Sequence, residues 1–121
     1  MVLSTKAQMP AGTYKVLTWQ VANSKEVIVD GVFPDETKAN LTFDDDFIIL
    51  SFCGYPATLF SQGEWKKQDK YHICQTTTYK ERIMISLVLE KVENLDDSWI
   101  LSVYYNESHI ERFSFYKIDT E

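Results

Sequence analysis

Strict alternation of apolar and polar residues over the last third of the chain constrains its fold more than any other feature. Ile83, Ile85, Leu87 and Leu89 fall on one side of an extended strand, with Arg82, Ser86 and Glu90 on the other. Trp99, Leu101, Val103 and Tyr105 repeat the pattern against Ser98, Ser102 and Asn106, and Phe113 and Phe115 alternate with Arg112 and Ser114. A period of two marks a half-buried strand, because successive side chains leave a strand on opposite faces. Earlier, Val27, Val29 and Phe33 face away from Glu26 and Asp30, and Leu41 and Phe43 flank Thr42. Residues 47–55 are apolar on both sides, so their outer face is expected to touch another element or a partner. Ile48, Leu50 and Phe52 are the outward candidates for a protein partner. No stretch carries a sustained helical period with caps; the helical candidates are residues 5–9 and one turn at 34–38.

Turn signals punctuate these runs: Ala22-Asn23-Ser24, Pro34-Asp35-Glu36, Asp44-Asp45-Asp46, Ser61-Gln62-Gly63, residues 76–80, residues 93–97 and Asn106-Glu107-Ser108. They divide the chain into strand-like segments of similar length, eight in all. The expected fold is therefore all-β, an eight-stranded antiparallel up-and-down barrel or a strongly curved meander sheet. Closure would also remove the exposed edges of so long an open sheet. At 121 residues the chain suits one domain. A flexible segment over 1–11 precedes a single barrel domain over 12–121.

Composition narrows the partners. Eighteen acidic residues outnumber twelve basic ones, for a net charge of −6. Such a surface repels phosphate backbones and argues against nucleic acid. No apolar run approaches the roughly 20 residues of a membrane-spanning helix. The first ten residues lack the apolar core of a signal peptide, which suits a cytosolic protein or an exported one whose leader is absent from this sequence. Cys53 and Cys74 are almost equidistant from Gly63 and Glu64, so a hairpin there would set them side by side; adjacency without a bridge is expected. Asn40-Leu41-Thr42 and Asn106-Glu107-Ser108 match the N-glycosylation acceptor pattern.

Chemistry is sparse. His72 and His109 stand apart, with no Cys/His spacing for zinc, and His72 is expected to point outward between Tyr71 and Ile73. Asp44-Asp45-Asp46 lacks the spacing of a calcium loop and reads as an acidic hairpin tip. There is no nucleophile elbow and no phosphate-binding glycine loop. Neither an enzyme nor a cofactor is expected. What remains is the barrel interior. Its expected lining is aromatic, with Tyr14, Trp65, Tyr71, Trp99, Tyr105 and Phe113 as the candidate ligand-binding residues beside Phe33, Phe43 and Phe115. Gly63 would give the backbone freedom to leave its turn, and Trp65 would fill one end of the barrel. The stretch 66–70 does not alternate cleanly, which suggests a bulge or a solvated edge.

The strand pattern, the opening Gly12-Thr13-Tyr14-Lys15-Val16 and Arg112 on the last strand resemble the lipocalin superfamily, the calycins. In that family a Gly-x-Trp opens the first strand and a basic residue near the end packs over the tryptophan. The likeness is to the small bacterial lipocalin-like domains, where a second Gly-x-Trp often opens a central strand, as Gly63-Glu64-Trp65 would. Tyr14 replaces the first tryptophan, and Trp19 follows five residues later. A fainter resemblance to META domains rests on Phe52-Cys53-Gly54 followed by Gly63-Glu64-Trp65. The lipocalin likeness implies a non-enzymatic protein that binds a small hydrophobic ligand inside its barrel. The alternative is a closed barrel acting through its surface as an inhibitor, immunity or assembly module.

Overall fold

The computed structural model describes residues 9–23, 25–32, 39–52, 56–95 and 97–117. The described residues form ten strands and no helix. The strands are β1 (Gly12–Ala22), β2 (Val27–Val32), β3 (Asn40–Phe43), β4 (Phe47–Ser51), β5 (Thr58–Ser61), β6 (Lys66–Gln68), β7 (Tyr71–Thr77), β8 (Met84–Lys91), β9 (Ser98–Asn106) and β10 (His109–Lys117). They build one antiparallel sheet in the order β5-β4-β3-β1-β10-β9-β8-β7-β6, with β2 also paired to β1.

Two of the barrel's staves are broken strands. β2 and β3 lie end to end along one edge of β1, opposite Thr18–Ala22 and Gly12–Lys15 respectively. In the same way β6 runs along the start of β7, while β5 reaches its far end through the Phe60–Thr78 bridge. Thr76 Oγ1 donates to the Ser61 carbonyl at 2.8 Å, and Tyr79 N to that of Leu59 at 3.0 Å. These bonds draw the two sides of the sheet together, and the result is the strongly curled, barrel-like all-β fold expected from the alternation. The breaks between β4 and β5 and between β6 and β7 carried weak signals. Pro56 cannot donate to a ladder, and Asp69 takes a left-handed φ of 60° that an Asx residue tolerates. β6 is the solvated edge expected over 66–70, exposed along its length.

Inside the curl, Val16, Leu41, Ile48, Phe60, Leu87, Leu89, Leu101, Val103, Phe113 and Phe115 are fully buried in one continuous cluster. The faces assigned to β8, β9 and β10 from their alternation hold from Ile85 to Val103 and at Phe113 and Phe115, while Ile83 is exposed. Three other assignments are corrected. Ile48 and Leu50 point inward, at 0% and 4% exposure, and Phe52 packs half-buried on the core, so these three do not form the outer face of the segment. Pairing decides it: Ile48 stands opposite Phe43 and Phe60, Leu50 opposite Leu41. His72 also points inward, with Cys74, because β7 must match Leu89 and Leu87 of β8; Tyr71 takes the other face, half-buried. Val27 is exposed, as are Ile28 and Val32 on β2. Phe33, Cys53, the possible turn at 34–38 and residues 5–8 lie outside the described residues. Of the segment 1–11, Met9 packs against the core and Pro10 is buried.

Tyr14 and Trp19 should face opposite ways on a regular strand. A bulge between Val16 and Thr18 resets the phase, leaving Leu17 exposed and turning Trp19 back to the core opposite Phe113. Gly63 serves close approach, not backbone freedom. A Cβ there would stand 3.3 Å from Cys74 Sγ and 3.6 Å from the Gln75 carbonyl. Gly63→Ala should therefore cost about 1–3 kcal/mol by overpacking. In a Cys74→Ala background, urea melts should show a smaller cost; equal costs in both backgrounds would dissociate the glycine from the thiol.

Candidate functional site

At the end where β1 begins and β10 finishes, Tyr14, His72 and Trp99 floor a cleft of about 680 Å³. Each comes from an inward position near a strand end, so the last layer of the core doubles as the floor. Beneath it Tyr14 meets Phe115 edge-on at 5.3 Å and Phe43 at 5.9 Å between ring centroids, a geometry that favours aromatic pairs. Hairpin turns raise the rim, with Asp69, Asn94 and Asp97 in left-handed conformations that Asx residues accommodate.

Lys117 closes the first strand over this floor. Its Nζ lies 4.8 Å from the Tyr14 ring centroid and donates to the Ala11 carbonyl at 3.0 Å. Gly12 makes room: its φ is 85°, and a Cβ would meet Lys117 Nζ at 3.0 Å. The lipocalin likeness pointed to Arg112 for this position. Arg112 instead stands opposite Gln20 and Ser102, and the cation over the first-strand aromatic comes from the strand's last residue. Lys91 Nζ sits 5.9 Å from the Trp99 ring, held by the Val92 carbonyl at 3.4 Å and by that of Leu95. Lys70 pairs with Glu90 at 3.3 Å.

His72 is the polar atom source in an otherwise aromatic floor. Burial, and then the Lys67 charge, lower its pKa below the ordinary value, so the neutral ring faces the cleft. Protonation is harder folded than unfolded. The stabilising contribution is thus full above the unfolded pKa of about 6.5 and is lost as pH falls through the lower folded value. Urea midpoints at pH 7 and pH 5 should diverge more for the native chain than for His72→Gln; equal divergence would contradict this placement.

The structure brings Tyr14 and Trp99 together here and separates the other four candidate residues. Phe113 is 1% exposed and belongs to the core. Tyr71 turns outward beside Lys70, whose Nζ is 5.4 Å from its ring. Trp65 packs half-buried on the barrel's flank, its Nε1 donating to Gln62 Oε1 at 2.9 Å. Tyr105 lies at the opposite end, lining a cleft of about 520 Å³ with Ile85 and Ile110. There its ring meets that of His109 edge-on at 5.0 Å. Glu111 accepts from Trp19 Nε1 at 3.3 Å and contacts His109 Nε2 at 2.7 Å. Burial, followed by the Glu111 and Glu81 charges, pushes the Tyr105 hydroxyl up to about 12. Both Glu111 oxygens are occupied by these neighbours, so the cluster ties β1 to β10.

His72, Lys91 and Lys117 were missed by sequence reasoning. The signal available for His72 was its phase with Cys74, which the more apolar Tyr71 and Ile73 outweighed. Among the described residues no group of three or more His, Cys, Asp or Glu side chains could hold a metal ion, and no helix is long and apolar enough to cross a membrane. Comparison with family models, with curated proteins and with solved structures found no match to this chain.

Proposed function

We propose that this protein is a lipocalin-like, non-enzymatic binding protein that holds a small, mainly apolar ligand in the mouth above Tyr14, His72 and Trp99. The observation that carries the reading is the cleft itself, about 680 Å³ with aromatic side chains continuous with the core as its floor. That volume falls in the range of small-molecule sites, roughly 300–1,000 Å³, and an apolar floor with polar groups placed around it is their usual composition. The ligand seat is the mouth, since Phe60, Phe113, Phe115 and the aliphatic cluster occupy the barrel's middle. Lys117 over Tyr14 supports the lipocalin likeness, as the counterpart of a basic residue packed on the first-strand aromatic. The alternative, a closed barrel acting through its surface as an inhibitor, immunity or assembly module, would have to use residues other than Ile48 and Leu50, which are buried.

N-phenylnaphthylamine, a neutral apolar fluorophore, tests the reading. Its emission should rise and tryptophan emission fall, both saturating near one probe per chain. Failure to saturate up to the probe's solubility limit would remove the ligand-binding reading.

A further inference from the structure

Basic residues gather at this mouth although the chain as a whole is acidic. Four of its twelve basic residues, Lys67, Lys70, Lys91 and Lys117, line the cleft, against two of its eighteen acidic ones, Asp69 and Asp97. Lys70 is engaged by Glu90. Among the described residues, Lys67, Lys91 and Lys117 have no carboxylate at ion-pair distance. Two of these ammonium groups are held in place: Lys117 by the Ala11 carbonyl over Tyr14, Lys91 by the Leu95 carbonyl beside Trp99. The cations thus stand beside the two aromatic rings that floor the cleft. An opposite charge placed between them would be attracted by both.

Resting on the binding function proposed above, we infer that the ligand is an amphipathic organic anion. Its carboxylate or sulfonate sits between Lys91 and Lys117, and its apolar body lies on Tyr14 and Trp99. Such a head could belong to a free small molecule or to an anionic lipid in a bilayer. Shape and charge favour the free molecule: the site is concave, and the net charge of −6 opposes approach to an anionic membrane.

The test compares two probes that share one aromatic body, anilinonaphthalene sulfonate and neutral N-phenylnaphthylamine, at low ionic strength. The sulfonate should bind roughly tenfold or more tightly, and salt near 0.5 M should shrink that gap by screening. Lys91→Gln and Lys117→Gln should each weaken the sulfonate by about three- to tenfold and leave the neutral probe within about twofold. Lys66→Gln, on β6 outside this cleft, controls for net charge and should change neither; circular dichroism verifies the fold of every variant. Equal affinity for both probes, or equal losses from Lys66→Gln, overturns the anion assignment while leaving the binding function intact. Binding of neither probe overturns both. Capture by phosphatidylglycerol vesicles without binding of the soluble sulfonate overturns the free-molecule assignment.

Discussion

Phe115→Ala is expected to lower the unfolding free energy by about 3–5 kcal/mol. Phe115 is 2% exposed and lies against Tyr14 and Phe43, with centroids at 5.3 and 5.5 Å. These residues belong to β10, β1 and β3, so one ring joins the last strand to the first and to the stave beyond it. Truncation forfeits the transfer of a phenyl group from water and leaves a hole that three strands cannot close together. Ser114→Ala, on the other face of the same strand, should stay within about 1 kcal/mol, the net worth of the Thr18–Ser114 hydroxyl contact. Urea denaturation separates the two. A Phe115→Ala loss as small as that of Ser114→Ala would mean that β10 is turned the other way.

Trp99→Leu should weaken N-phenylnaphthylamine by about tenfold or more, with the chain still folded. The substitution keeps an apolar side chain in the wall but removes the flat surface on which the probe stacks. Phe60→Leu provides the matched control. Phe60 is 1% exposed, lies in the core and does not line the cleft, so its truncation perturbs packing without touching the proposed seat. Affinity unchanged in Trp99→Leu, or lowered equally in Phe60→Leu, would place the probe elsewhere.

The fold was legible where one face of a strand is buried and the other wet. β8, β9 and β10 have this arrangement, and Leu87, Leu101 and Phe115 face inward as their alternation required. Legibility failed where both faces carry apolar residues. On β4, Phe47 and Ile49 are half-buried outside while Ile48 and Leu50 are buried inside, so period alone could not choose the face. The register with Leu41 and Phe60 made the choice, and that information lies in other strands. β7 failed for a related reason: a histidine and a cysteine face the core while a tyrosine and an isoleucine face out. The candidate site was legible as an aromatic inventory but not as a place. Tyr14 and Trp99 meet because β1 pairs with β10 and β10 with β9, whereas Tyr105 shares Trp99's strand face yet lies six residues along it, at the other mouth. The cations were the least visible part. Lys91 and Lys117 look like ordinary strand-end lysines until the curled sheet sets them beside one floor.

The three tryptophans offer a direct location for the ligand, since each marks a different part of the molecule. Trp99 floors the proposed seat, Trp65 lies on the flank and Trp19 at the opposite end. In a proton–nitrogen correlation spectrum of uniformly labelled protein, their indole N–H groups give separate signals, assignable by single substitution. Titration with N-phenylnaphthylamine should shift the Trp99 signal saturably, with the midpoint seen by fluorescence, and leave Trp19 and Trp65 in place. A Trp99 signal that stays fixed while the probe binds, or a Trp19 signal that moves instead, would contradict a ligand seat above Tyr14, His72 and Trp99.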